Sequence, residues 1–493
     1  MRQSIRARVG ASTAAMLAGI ALVSGCGRDE EQSPPAPPVD GQSLAAAVGG
    51  DAVAAHMEAL ERIATDNGGN RAAGTAGYDA SVDYVADRLR DAGFEVSTPE
   101  FDVDRFIAGP VELRAGDRQF TAGTLEYSPP TPPEGITART LALPDDGSPG
   151  CEATDYDGRD AAGAIVVVRR GVCPFSAKEQ MAADRGAVAI VVFNNEDGPL
   201  AGGTLGEDTD PRIPAVSVPG SEGPAVAAAP ELSLKLEAVT EAATSRNVIA
   251  QTTTGSTENV VLVGAHLDSV EKGPGINDNG SGSAAVLETA LRLGSAPNVT
   301  NAVRFAWWGA EELGLVGSER YAEGLDEGER EDIALYLNFD MLGSRNAGYF
   351  TLDGDDSDRE GAGPGPQGSD AIERTLGGYL AWRGIVADGT DFDGRSDYGP
   401  FIEMGIPSGG VDSGADDRKS EEQALKWGGT AGETFDPGYH SPEDTLANVD
   451  RAALAQNAAA VAFGVGTYAN SVDGPDGVPA RADRAKAREG AGQ

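Results

Sequence analysis

The chain has 493 residues, 40% of them hydrophobic, enough for two or three domains with a sizeable buried core. Its 78 acidic residues outnumber 38 basic ones, giving a net charge of −40, so the surface repels nucleic acid and anionic membranes and favours solubility. Nucleic-acid binding is set aside on that ground.

The N-terminus is an address. "MRQSIRARVG" carries three arginines, "ASTAAMLAGIALV" is apolar but too short to span a bilayer as a permanent helix, and "LVSGC" closes the segment. Residues 1–26 therefore read as a signal peptide, and Val23-Ser24-Gly25-Cys26 resembles a bacterial lipobox, in which Cys26 is diacylated and becomes the new N-terminus. Residues 27–43 are polar and proline-rich, a flexible tether. The expected location is outside the cell, anchored by lipid to the outer face of the membrane, with the lipid as the only membrane contact. The other two cysteines, Cys151 and Cys173, can pair in an exported chain; two isolated cysteines make a poor zinc site.

Residues 44–93 place apolar side chains at helical spacing, with Gly93 as a stop. From 105 to 240 the pattern turns to short β-rich segments with many prolines and glycines, and within it "AAGAIVVVRRGVCPFSAKEQMAADRGAVAIVVFNNE" reads strand, loop, amphipathic helix, strand. From 258 strands alternate with helices, which predicts an α/β fold with a mostly parallel central sheet and helices on both faces. A last amphipathic helix is expected near 450–468, followed by a disordered tail over 471–493. The expected parts are a main domain of 44–104 with 241–470 and an insert of 105–240.

Three predicted strands end in polar residues of one kind. "NVVLVGAHLD" ends in His266 and Asp268, "RFAWWGAEE" in Glu311 and Glu312, and "YLNFD" in Asp340. In open α/β sheets the functional crevice lies beyond the carboxyl ends of the strands, so these side chains should converge. Asp278 follows the first strand in a glycine-rich turn, and "FDPGYHSPED" offers His440. Clustered carboxylates repel one another unless cations neutralise them, and imidazole mixed with carboxylate suits zinc best, with manganese or cobalt as substitutes. The chain has only three histidines, and two fall in this set. The ligands suffice for two ions sharing one carboxylate.

"AHLDS", "GINDNGSG", "WWGAEELGLVGS", "LNFDMLGS", "DGRSDYGPF" and "KWGGTAGETFDPGYHSPED" resemble, in order and spacing, the secreted bacterial two-zinc aminopeptidases of the leucine-aminopeptidase type, metallopeptidase family 28. The resemblance covers about 44–101 and 241–470. It implies that Asp278 bridges two zincs, that His266 and Asp340 complete one and Glu312 and His440 the other, and that Glu311 is the general base. It further implies that Asp268 orients His266, that Tyr439 serves the oxyanion, that Arg395 lies near the substrate, and that the Asp278–Asn279 peptide is cis. The insert resembles a protease-associated domain, whose usual disulfide Cys151 and Cys173 match; a lid or wall is its implied role. Some relatives hold calcium through aspartates on the final helix, where this chain has Ala455 and Ala459, so no calcium is expected there.

The activity so implied is removal of N-terminal residues from peptides with free N-termini. Carboxypeptidases, dipeptidases and glutaminyl cyclases share the fold and form the alternative. A non-catalytic binding protein of this architecture would have lost ligands, whereas all five and the base are present here, and the ordered motifs oppose a two-metal phosphoesterase.

Overall fold

The computed structural model describes residues 39–489 apart from 146–148, 172, 199, 201–202, 207–208, 360, 362 and 475–476. The signal segment, Cys26 and most of the tether lie outside the described residues.

Asp40 is the N-cap of α1 (Gly41–Ala47), so helix takes in the last three residues, 41–43, of the span expected to be tether. Helices α2 (Gly50–Asp66) and α3 (Ala76–Asp91) follow, then β1 (Glu95–Ser97) and the long β2 (Glu100–Ala115). The insert continues through β3 (Arg118–Phe120), β4 (Gly123–Thr124), β5 (Ile136–Ala142), β6 (Ile165–Arg169), α4 (Phe175–Asp184), β7 (Ala189–Phe193), β8 (Ala215–Val218) and α5 (Gly223–Ala227), returning by β9 (Glu231–Arg246). Then come β10 (Val248–Gln251), β11 (Ser256–His266), α6 (Gly280–Leu293), β12 (Asn301–Trp308), α7 (Val316–Gly324), α8 (Glu327–Asp332) and β13 (Ile333–Phe339). The chain closes with β14 (Phe350–Leu352), α9 (Ser369–Trp382), β15 (Asp388–Thr390), α10 (Gly399–Glu403), β16 (Ser408–Asp412), α11 (Glu421–Trp427), α12 (Arg451–Asn470) and α13 (Arg481–Ala487).

The main sheet has the order β1-β10-β12-β11-β13-β16-β14-β15. Its centre, β12-β11-β13-β16, is parallel, and antiparallel pairings join β1, β10 and β14 to it. Because side chains alternate along a strand, Val261, Val263 and Ala265 pack against α2, α6 and α12, while Leu262 meets Ala306, Trp308, Tyr336 and the α7 and α10 side on the other face. Trp307 and Trp308 are fully buried; the Trp308 indole donates to the Tyr336 hydroxyl at 2.8 Å.

The insert has its own sheet, β3-β2-β9-β5-β6-β7-β8-β4, in which β5 to β8 run parallel and alternate residues of β6 fill two cores. Cys151 and Cys173 form a disulfide in it. The antiparallel stem β2–β9 connects it to the main body; the expected divisions at 104/105 and 240/241 both fall inside these strands. At the foot of the stem, Phe101, Val103 and Ala243 pack with Ala73, Ala310, Leu313 and Val316.

Ala455 of α12 touches Gly50 at the start of α2, and Ala459 is buried in the core. The tail departs from the expectation of disorder. Its α13 is held by Arg484, only 1% exposed, which donates to the carbonyls of Glu258 at 3.0 Å and Glu331 at 2.6 Å. A solvated charge pattern hid an arginine whose partners are backbone carbonyls and the Asn259 side-chain oxygen. Among the described residues no helix is long and apolar enough to cross a membrane.

Candidate metal centre

Three parallel strands carry their C-terminal residues to one place. β11 delivers His266 and, two residues on, the fully buried Asp268. β12 leads through Gly309 and Ala310 to Glu311 and Glu312, and β13 leads to Asp340. The loop after β11 returns Asp278 to the same point, where its peptide to Asn279 is cis. Asn279 then caps α6, accepting from Gly282 N at 2.9 Å and donating to the Phe339 carbonyl at 2.9 Å. That approach needs glycine at 282, since a Cβ there would sit 2.2 Å from the Phe339 oxygen.

Asp278 stands between the imidazoles. Its Oδ1 is 3.2 Å from His266 Nε2, and its Oδ2 is 3.1 Å from His440 Nε2. Asp340 Oδ1 lies 3.4 Å from His266 Nε2, and Glu312 Oε2 lies 3.0 Å from His440 Nε2. Glu311 Oε2 is farther from His266, at 3.8 Å. Asp268 is 3.6 Å from His266 Nδ1, beyond hydrogen-bond distance, and accepts instead from the amides of Glu311 at 3.1 Å and Glu312 at 3.3 Å. One buried carboxylate thus organises the next strand's motif as well as lying behind the histidine.

Electrostatics follow from crowding. Burial would lower the His440 pKa, but Glu312 and Asp278 outweigh it and hold it at about 11. Burial together with the Asp278 charge pushes Glu312 up to about 7. Burial also raises Glu311 well above the usual carboxylate range. Against burial, the two imidazoles facing it at 3.2 and 3.1 Å keep Asp278 below that range. The cluster therefore asks for positive charge at its centre. His266 Nε2, Glu312 Oε1 and Asp340 Oδ1 are buried without a hydrogen-bond partner, as atoms reserved for metal coordination would be. The donor set of two imidazoles and several carboxylates fits zinc.

Tyr439 stacks on His440 with centroids 3.8 Å apart, and its hydroxyl accepts from Arg395 Nη2 at 3.2 Å. The same nitrogen donates to Asp416 at 3.1 Å. Asp278, Glu311, Asp340, Tyr439 and His440 line one cavity of about 570 Å³, whose far wall includes Phe350, Leu352, Val411 and Phe435. From the insert, Glu126 feels this centre: burial raises its carboxyl, while Lys272 and His440 pull it down.

Sequence reasoning missed three supports. Arg71, fully buried, donates from Nε to Pro274 O at 2.9 Å, from Nη2 to Gly275 O at 2.5 Å, and from Nη1 to Leu267 O, clasping the loop between His266 and Asp278. Asp444 accepts from the amides of Asn277 at 2.7 Å and Asp278 at 3.0 Å, tying the His440 segment to that loop. Ser396 donates to Asp340 Oδ2 at 2.8 Å. Asp444 sat within a quoted motif, "SPED", four residues after His440, which was the available signal.

The sequence profile of Peptidase family M28 matches residues 247–465, and that of the PA domain matches residues 136–226. A Mycobacterium tuberculosis protein named "Probable lipoprotein aminopeptidase LpqL" is 53% identical over 483 residues, covering 94% of this chain and 95% of its own. An aminopeptidase of Pseudomonas aeruginosa is 44% identical over 83% of this chain and 79% of its own. Among solved structures, an aminopeptidase from Aneurinibacillus sp. strain AM-1 superposes with a TM-score of 0.72 at 26% identity, covering 89% of this chain and 98% of its own. A zinc aminopeptidase from Bacillus subtilis gives 0.64 at 27% identity, with 87% and 97% covered.

Proposed function

The chain belongs to peptidase family M28 and is an aminopeptidase of that family, and from that premise we propose that it is exported, anchored by lipid at Cys26 to the outer face of the membrane, and works with two zinc ions. The observation that carries this reading is Asp278, whose two oxygens each meet a different imidazole, at 3.2 and 3.1 Å. His266 and Asp340 would hold one ion and Glu312 and His440 the other, with Asp278 between them. Bound there, zinc supplies a water of lowered pKa and polarises the carbonyl under attack.

The protein's own groups do the rest. Glu311 borders the cavity without the close imidazole contact that Glu312 makes, and its carboxylate takes the proton of the attacking water and passes it to the departing amine. Arg395 donates to the Tyr439 oxygen, leaving the phenol proton free to meet the substrate oxygen as that oxygen gains charge. The carboxylates around the cavity suit a free α-ammonium, which favours trimming from the N-terminus. Residues 44–104 and 241–470 form the catalytic part in this reading, and 105–240 form a wall beside it.

Glu311→Gln separates binding from catalysis. It keeps size and a hydrogen bond but accepts no proton, so hydrolysis of aminoacyl-p-nitroanilides should fall about 10²–10⁴-fold while both ions stay bound. Glu312→Ala should lose metal and activity together. Metal loss from Glu311→Gln with full retention in Glu312→Ala would reverse the two roles, and hydrolysis of N-blocked substrates at equal rate would refute the amine-end reading.

A further inference from the structure

Among the described residues four large apolar side chains are more than half exposed: Val239 at 54%, Trp382 at 67%, Val386 at 62% and Leu425 at 89%. Three of them gather on one flank. Trp382 ends α9, and Val386 follows four residues on, within about 15 Å along the chain. The Trp427 indole donates to the Val386 carbonyl at 2.9 Å, which brings α11, with Leu425 on it, alongside. Single exposed apolar residues are ordinary, but three on neighbouring segments, one of them a tryptophan, point to a contact surface.

The position of the tether says what covers it. The described chain begins at Val39, whose carbonyl accepts from Asn470 at the end of α12. Gly41 lies against Phe463 of α12. The Phe463 ring stacks on Tyr379 of α9 with centroids 4.4 Å apart, and Tyr379 meets Trp382 at 5.9 Å. A short run of ring contacts thus leads from the start of the body to the exposed tryptophan. Thirteen positions separate Cys26 from Val39, a reach of at most about 45 Å. A lipid on Cys26 therefore keeps Val39, from which these ring contacts lead to the flank, within that distance of a bilayer, at high effective concentration.

The chemistry of the flank fits a bilayer interface. Tryptophan combines an apolar body with an N–H and favours the headgroup level. Arg383 donates to the Tyr379 hydroxyl at 3.1 Å, and Lys426, paired with Asp388, lies over the Trp427 ring, so polar heads on apolar stems border the apolar groups. We infer that the Trp382–Val386–Leu425 face is a membrane-docking surface, seated on the bilayer to which the Cys26 lipid tethers the body; the inference rests on that anchor and adds a protein contact to the lipid contact expected from sequence.

The test supplies the tether chemically. With Cys151 and Cys173 paired, the mature chain from Cys26 has one free thiol, which couples to maleimide lipid in phosphatidylcholine vesicles with brominated acyl chains. Trp307 and Trp308 are fully buried, so bromolipid quenching reads the two tryptophans of this flank, Trp382 and the half-buried Trp427. The coupled protein should be quenched and the uncoupled protein not. The Val386→Asp, Leu425→Asp double variant, coupled and active in solution, should lose most of the quenching. Equal emission from coupled and uncoupled protein would overturn the docking surface, as would a dimer in sedimentation that the double variant dissociates, since the face would then bind a second copy. An exported chain whose Cys26 carries no lipid mass would overturn the anchor, independently of the vesicle result.

Discussion

Replacing Arg71 by methionine tests how the loop from His266 to Asp278 is held. The buried guanidinium donates to the carbonyls of Leu267, Pro274 and Gly275. Methionine fills much of the volume and leaves all three without that donor, at about 1–3 kcal/mol each, or about 6 kcal/mol for the set. Part of this is offset. Burial pushes the guanidinium from 12.5 down to about 10, despite the charges of Asp268, Asp444 and Asp278, so the native state carries a desolvation cost of about 3 kcal/mol that methionine removes. The net expectation is a loss of about 3 kcal/mol in urea unfolding. Because the loop connects two proposed metal ligands, zinc affinity measured by chelator competition should also fall, by about 10–100-fold as for other groups supporting metal ligands. Arg71→Lys keeps the charge but not the fork and should fall between. An Arg71→Met protein with unchanged urea midpoint and unchanged zinc affinity would show that the loop supports itself.

Chelation should lower the melting temperature and added zinc should restore it, because Asp278, Glu311, Glu312 and Asp340 would otherwise crowd around two imidazoles; equal melting with and without chelator would refute a resident metal. Arg484→Ala should cost about 2–4 kcal/mol by leaving the carbonyls of Glu258 and Glu331 without their donor, and should expose the segment after 471 to limited proteolysis; unchanged cleavage would mean that α13 is held by other contacts.

The convergence of these side chains was legible because they lie where periodicity breaks. An apolar β-branched run ending in His266 and Asp268 is costly unless those groups have a task, and the parallel arrangement that follows from strand–helix alternation sends all such ends to one edge. Arg71 and Asp444 were not legible because their partners are backbone. Arg71 lies in "GGNRAAGTAGY", where no apolar period marks it, and it bonds carbonyls some 196–204 positions away that every residue type possesses. Arg484 was hidden likewise: "RADRAKA" alternates charge as a solvated segment does, yet its second arginine is buried. Asp268 shows a third limit. Its place beside His266 was implied by the resemblance, but its two bonds to the amides of Glu311 and Glu312 depend on the register between β11 and β12.

The foot of the β2–β9 stem has a consequence for how such a chain can be recombined. Phe101, Val103 and Ala243 rest on Ala310 and Leu313, which flank Glu311 and Glu312, and on Val316 at the start of α7, and Arg105 pairs with Glu271 at 2.5 Å, in the loop that runs on to Asp278. Higher up, the two strands shift register between Ala108 and Val111. A natural or engineered exchange that joins chains above that irregularity would bring in a foreign head on native foundations. One that joins them at the base would also replace the masonry under the glutamates. The seam along which insert and enzyme can be inherited separately therefore runs through the middle of the stem, and heads swapped there should leave hydrolysis of small substrates intact while changing which larger peptides gain entry.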